Sequence, residues 1–134
     1  MSSFSHTGRV TFHETDASGR FHYSNALIWA ENAEHALYRA IGAGAAVPNM
    51  PRRVVNATFH RSFVAGDDYV VELFVKKIGN TSFGYSWKLF GDGQLSAEGA
   101  ATVVHVGDNG RPASLPDILR AGLEQQRDTD PSTI

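Results

Sequence analysis

From Arg52 to Val106 the chain offers strands and almost nothing else, and the breaks between them are short. Val54, Asn56, Thr58 and His60 alternate with Val55, Ala57, Phe59 and Arg61, after which Gly66-Asp67-Asp68 supplies a turn. Tyr69 to Ile78 is a β-branched and aromatic run closed by Gly79-Asn80. Ser82 to Phe90 alternates bulky residues and meets Gly91-Asp92-Gly93, a hairpin signal. Leu95 to Val106 is a further strand, ended by Gly107-Asp108-Asn109-Gly110. Parallel neighbours need a crossover of a dozen residues or more, so turns this short make the strands antiparallel.

One long helix precedes them. Between Asn25 and Ile41, Ala26, Ala30, Ala33, Leu37 and Ile41 recur at spacings of three and four. Leu27, Ile28, Trp29, Ala36 and Ala40 widen that stripe, leaving Glu31, Asn32, Glu34, His35 and Arg39 for the other side. A helix this apolar is expected to be wrapped by the sheet. Gly42 and Gly44 can stop it, and Pro48 and Pro51 keep the following connection non-helical. Ahead of the helix, Gly8 to Glu14 reads as a half-buried strand with Val10 and Phe12 inward, and residues 1–7 as a frayed end. Pro116 opens a short helix, Asp117 to about Gln126. The whole is an α+β domain over residues 1–127 with a polar tail over 128–134.

Composition closes off several classes. A net charge of −2 gives no basic field to attract nucleic acid or an anionic membrane. The absence of cysteine removes disulfides, thiolate metal sites and a cysteine nucleophile together. Met1 to His6 has neither the basic start nor the apolar run of a signal peptide, and the nearly uncharged stretch from Ala40 to Met50 is too short to span a bilayer. A cytoplasmic location without a membrane or nucleic-acid partner is the expectation.

The chemistry concentrates in Glu14 to Asn25, between the first strand and the helix. Asp16 precedes a helix start whose N–H donors lack intrahelical partners, and Ser24 or Asn25 is a candidate N-cap. A carboxylate beside such donors suits acyl chemistry, with the acid as nucleophile or base and the donors holding the developing oxyanion. On residue type alone, Asp16 reads equally well as a turn aspartate that caps the helix. Elsewhere the motifs fail. Gly42-Ala43-Gly44 follows a helix rather than a strand and lacks the third glycine of a dinucleotide fingerprint. There is no phosphate loop and no Gly-x-Ser-x-Gly elbow. The six histidines lack metal-ligand spacing, and Glu31 with His35 is an ordinary i,i+4 pair. Lys76-Lys77 fits either a phosphate contact or a solvated strand edge.

Thr15-Asp16-Ala17-Ser18-Gly19 followed by Phe21-His22-Tyr23-Ser24-Asn25 resembles the signature of hotdog-fold acyl-CoA thioesterases of the 4-hydroxybenzoyl-CoA thioesterase type. The resemblance continues through Trp29 and Glu31, Pro51 to Phe59, Gly66 to Tyr69, Thr81-Ser82-Phe83 and Ala97 to Val106. It implies a five-stranded antiparallel sheet around a long central helix and a cofactor-free, metal-free hydrolase. The implied substrate is an aromatic or short- to medium-chain acyl-CoA, or an acyl-carrier-protein thioester. It also implies a homodimer or homotetramer with sites at the subunit interface. In that scheme Asp16 is the catalytic carboxylate, the Tyr23 N–H polarises the carbonyl, and His22 stands beside them. Asn25, Phe21, Trp29, Glu31 and Thr58 surround the acyl group, and Met50 and Pro51 flank it from the partner subunit. Thr81 and Ser82 would meet CoA. Where benzoyl-type members carry a basic run, this chain has Gly79-Asn80-Thr81, leaving Lys76, Lys77, Arg52, Arg53 or Arg61 to take the phosphates. The rival readings are a hotdog enoyl-CoA hydratase, whose Asp-x-x-x-x-His spacing is absent, and an acyl-binding protein without turnover.

Overall fold

The computed structural model describes residues 3–128. Its order is β1 (Phe4–Arg9), α1 (Ser24–Ala40), β2 (Arg52–Phe59), β3 (Asp68–Ile78), β4 (Ser82–Gly91), β5 (Gln94–Val104) and α2 (Asp117–Gln126). All strand pairs are antiparallel, and the sheet runs β1-β3-β4-β5-β2. The hairpins β3–β4 and β4–β5 follow directly from the turns read in the sequence. Among the described residues no helix is long and apolar enough to cross a membrane.

The 17-residue α1 lies against the sheet. Ala26, Ala30 and Ala33 are buried on its inner face, and such small side chains let the helix axis approach closely. Leu37 of α1 and Val71, Leu73, Trp87, Leu89 and Val103 of the sheet fill the layer between. Fully burying a side chain such as Leu37 or Leu73 contributes roughly 1.5–3 kcal/mol. Gly42 ends the helix with φ +80°, a left-handed conformation that costs other residues more.

Four local expectations are corrected. The supposed frayed end contains β1, whose polar residues gain order by pairing along β3 from Phe4↔Leu73 to Arg9↔Asp68. The expected strand Gly8 to Glu14 breaks after Arg9, because Phe12–Glu14 turns as a 3-10 helix closed by the Thr11 N–H donating to Glu14 Oε1 at 2.8 Å. Phe12 is consequently 84% exposed rather than inward. The connection after α1 includes a 3-10 segment, Gly44–Asn49, in which Pro48 sits without a helical N–H to lose. Finally, Glu34 is fully buried rather than on the solvated side of α1. Residues 129–134 of the expected tail lie outside the described residues. Asp128, at its head, is buried, with its N–H donating to Val75 O and its carboxylate accepting from Lys76 Nζ.

Candidate active site

Asp16 sits in a small hairpin closed by a bridge between Thr15 and Phe21. Its N–H donates to Arg20 O at 2.8 Å, and the Gly19 N–H donates to Asp16 O at 2.9 Å. Gly19 has φ +79°, which the tight return requires. The side chain bonds locally: Asp16 Oδ1 accepts the Ser18 N–H at 2.8 Å and the Ser18 hydroxyl at 2.5 Å. The helix-cap alternative is therefore not what the chain adopts, since the carboxylate caps its own turn. The second oxygen, Oδ2, accepts from none of the described residues. The Ser18 hydroxyl, then the Ser18 N–H, hold the Asp16 carboxyl below the usual aspartate range, and the charge of His22 adds to the effect.

The helix start is tied to the same loop. The Glu14 carbonyl accepts the His22 N–H at 2.9 Å and Asn25 Nδ2 at 3.0 Å, and Asn25 Nδ2 also reaches His22 O at 3.2 Å. Two carbonyl acceptors hold the Asn25 amide nitrogen, and Asn25 is already inside the helix, whose start has no side-chain cap bond. Ser24 supplies none either: its N–H donates to His22 Nδ1 at 3.3 Å, and its hydroxyl lies 2.7 Å from the same nitrogen. With Nδ1 accepting, the ring proton of neutral His22 belongs on Nε2. The residue before the helix is Tyr23, already helical at φ −55° and ψ −30°. Among the described residues its N–H donates to no acceptor, while the N–H groups of Asn25 and Ala26 turn back to His22 O and Tyr23 O. A free donor at a helix N-terminus lies where the helix dipole favours negative charge.

Asp16 and Tyr23 line one open cleft of about 400 Å³, together with Phe21, Phe59, His60 and Arg61. Its floor is aromatic. Phe21 stacks on Trp29 at 5.4 Å and Trp29 on Tyr69 at 4.2 Å, while Phe63 meets Trp29 edge-on. Trp29 is only 1% exposed and therefore supports the floor rather than lining the cleft. The Tyr23 ring meets Phe59 of β2 at 6.0 Å. His60 Nε2 lies 2.9 Å from Glu98 Oε2.

The other expected site residues scatter. Met50 is 4% exposed and belongs to the core. Pro51 is exposed, its carbonyl accepting the Val104 N–H, and Thr58 is exposed on β2 beside Phe59. Glu31 lines a separate groove of about 200 Å³ with Leu27, Ile28, Arg52, Val55 and Tyr85. Arg52 is committed there, with Nη1 on Glu31 Oε2 at 2.7 Å and Nη2 on Glu34 Oε1 at 2.6 Å. Glu34 also accepts the Tyr85 hydroxyl at 2.7 Å and the Tyr38 hydroxyl at 2.5 Å. Of the CoA candidates, only Arg61 shares the cleft with Asp16. Lys76, Lys77, Thr81 and Ser82 sit where β3 turns into β4. At ~3.3 Å per residue, Lys77 is about 26 Å along β3 from Tyr69 under the cleft. Among the described residues no group of three or more His, Asp or Glu is arranged to hold a metal.

Sequence reading did not single out Glu14, Phe59, His60 or Glu34. Glu14 and Phe59 stood inside segments already recognised, but their roles depend on partners 15 and more residues away.

No protein-family model matches the sequence, and no curated protein matches it. Solved structures do match the fold. A predicted thioesterase from Bacillus stearothermophilus is 22% identical, with TM-score 0.86 over 96% of this chain and 99% of that one. A 1,4-dihydroxy-2-naphthoyl-CoA thioesterase from Synechocystis is 17% identical, with TM-score 0.82 over 90% and 95%. A thioesterase from Thermus thermophilus, complexed with coenzyme A and zinc, is 20% identical, with TM-score 0.82 over 91% and 92%. The likeness shows the fold: this chain has the hotdog fold of those thioesterase structures.

Proposed function

We propose that the chain is an acyl-CoA thioesterase. The observation that carries the proposal is that Tyr23, whose N–H is unbonded among the described residues, lines the same cleft as Asp16, whose Oδ2 has no partner among them. The fold likeness to solved thioesterases supports it. A thioester seated with its carbonyl oxygen on the Tyr23 N–H has its carbon polarised by that donor and by the helix dipole. Ionised Asp16 then acts in one of two ways. As nucleophile, Oδ2 bonds to the carbonyl carbon, the C–S bond breaks, CoA leaves as thiolate, and water hydrolyses the resulting mixed anhydride. As general base, Asp16 takes a proton from water, whose oxygen bonds to the carbonyl carbon as the same C–S bond breaks. Single turnover in labelled water tests the first: label in Asp16 shows direct attack with water opening the anhydride at the aspartyl carbon, whereas label only in the product acid fits a general base or an anhydride opened at its acyl carbon.

The aromatic floor suits an aromatic or a short to medium acyl group, with Phe21 in contact and Trp29 behind it. Arg61, with Arg20 on the same cleft, supplies a cation for CoA phosphate. We further propose a homodimer or homotetramer that completes the site between subunits. β2 ends the sheet with one edge unpaired among the described residues, and Val54, Val55 and Phe59 are exposed along it. Lys76, Lys77, Thr81 and Ser82 would then reach CoA only from the second copy.

The test is thiol release from benzoyl, phenylacetyl, short and medium acyl-CoAs, comparing wild type with Asp16→Asn. Turnover falling ~10²–10⁴-fold in the variant, with folding intact, is the expected result. Binding without any thiol release would favour an acyl-binding protein. Loss of double-bond absorbance on crotonyl-CoA without thiol release would favour a hydratase.

A further inference from the structure

Glu14 holds both halves of the proposed reacting pair, although it touches neither. Its carboxylate is clamped at each oxygen: Oε1 accepts the Thr11 N–H at 2.8 Å, and Oε2 accepts Trp29 Nε1–H at 2.8 Å. Its backbone N–H donates to Thr11 O at 3.0 Å. Its carbonyl takes the His22 N–H and the Asn25 amide. One residue thus joins the end of the first-strand segment, the body of α1 and the start of α1. Asp16 lies two residues after Glu14, and the Tyr23 N–H lies one residue after the bonded His22 N–H.

The Asp16 hairpin has little else to fix its distance from the helix. The Asp16 side chain bonds only within its own turn, and the cleft face of the hairpin is exposed. Its other tethers are the Arg20–Val64 bridge and Phe21 N–H on Phe63 O, which attach it to the β2–β3 connection, and the Phe21 ring, which stacks on Trp29 without a directional bond. Trp29 supplies the rigid reference, because it is locked between Phe21 and Tyr69 in the second turn of the helix. The carboxylate of Glu14 is the hydrogen-bonded link from that reference to the hairpin, beside the Phe21 stack.

We propose that Glu14 is the positioning residue that sets the Asp16 carboxylate against the Tyr23 N–H, working through Trp29 on one side and the His22 and Asn25 donors on the other. The proposal rests on the thioesterase reading and assigns to it a residue that contacts no substrate. It acts on geometry. A misplacement of about 1 Å in a reacting pair can lower a rate 10²-fold.

The experiment is steady-state thiol release by wild type, Glu14→Gln, Glu14→Ala, Trp29→Phe and the Glu14→Gln/Trp29→Phe double variant. It is run below every variant's unfolding midpoint, with Trp29 emission recorded where the indole remains. Glutamine keeps the shape and one acceptor but turns an NH₂ toward one of the two donors. Glu14→Ala is expected to lower kcat ~100-fold with KM within about threefold. Glu14→Gln should recover part of that loss and shift the Trp29 emission. Trp29→Phe removes the indole donor together with part of its buried ring, and the share of its loss that runs through Glu14 should fail to add to that of Glu14→Gln in the double variant. Where Glu14→Ala does not fold, the Gln and Phe variants carry the same comparison. An unchanged kcat, a loss confined to KM, or losses that add independently overturns the proposal while leaving the thioesterase reading intact. No release by the wild type overturns both.

Discussion

Asp16, in the hairpin ahead of α1, and Glu34, within α1, are both carboxylates, and they are treated in opposite ways. Asp16 is exposed, bonds only to Ser18 two residues on, and keeps one oxygen without a partner among the described residues. Glu34 is fully buried, and its two oxygens receive Arg52 and Tyr85 on one side and Tyr38 on the other. Those donors come from α1, β2 and β4, so Glu34 fastens the helix to the sheet where their separation in sequence is large. A buried carboxylate with every direction occupied has nothing left to react with. An exposed one with a free oxygen, ionised by its own turn, has what acyl transfer needs.

The sharpest way to break that contrast is to truncate each acid in turn. Glu34→Ala leaves the Arg52 guanidinium and two tyrosine hydroxyls without their buried acceptor, and about 3–5 kcal/mol of stability should be lost. Asp16→Ala touches an exposed turn and should change stability by about 0.5 kcal/mol. Denaturant unfolding of both measures it. A large loss from Asp16→Ala would make that residue a structural one after all, and a small loss from Glu34→Ala would mean that water reaches its pocket.

The same contrast explains what the sequence could and could not say. The hairpins, the helix and its stop at Gly42 follow from local turn chemistry and spacing, and they appear where expected. β1 could not be read, because Ser5, His6 and Thr7 have no strong preference of their own and are ordered by the β3 edge. Glu34 was assigned to the solvated side for a similar reason. Its partners Arg52 and Tyr85 lie 18 and 51 residues away, and nothing in the helix pattern points to them. In the candidate site, Asp16 and Tyr23 were legible because their arrangement is made within one short segment. Trp29 reads from the sequence as lining the acyl group, but an apolar side chain next to a site looks the same in sequence whether it lines the cavity or supports it.

Alkaline pH probes the buried half of the comparison. Burial first, then the charge of Glu34, raises the hydroxyl pKa values of Tyr38 and Tyr85 above the ordinary tyrosine range. A raised folded value means that the stabilisation is complete below the unfolded tyrosine pKa of about 10. Above it the unfolded chain releases protons that the folded pair retains, so stability falls as pH rises. Unfolding midpoints should therefore decline beyond about pH 10, and Tyr85→Phe should shallow that decline. An unchanged slope would remove the hydroxyls from the account.

Acid pH probes the exposed half, with a smaller effect. The Ser18 hydroxyl and N–H lower the Asp16 pKa, so the ionised form that the proposed reaction requires survives to a lower pH than for an ordinary aspartate. The acid limb of kcat/KM for thiol release should accordingly fall below the usual carboxylate range, with activity lost as pH drops through it. Ser18→Ala removes the first of those two bonds and leaves the backbone donor. It should move the limb upward, toward ordinary aspartate, while leaving the plateau rate and the unfolding midpoint nearly unchanged. If instead the limb stays fixed and the plateau collapses, the Ser18 hydroxyl orients Asp16 rather than tuning its charge. If neither moves, the ionisation that limits turnover belongs to another group, and the free oxygen of Asp16 is not the one that reacts.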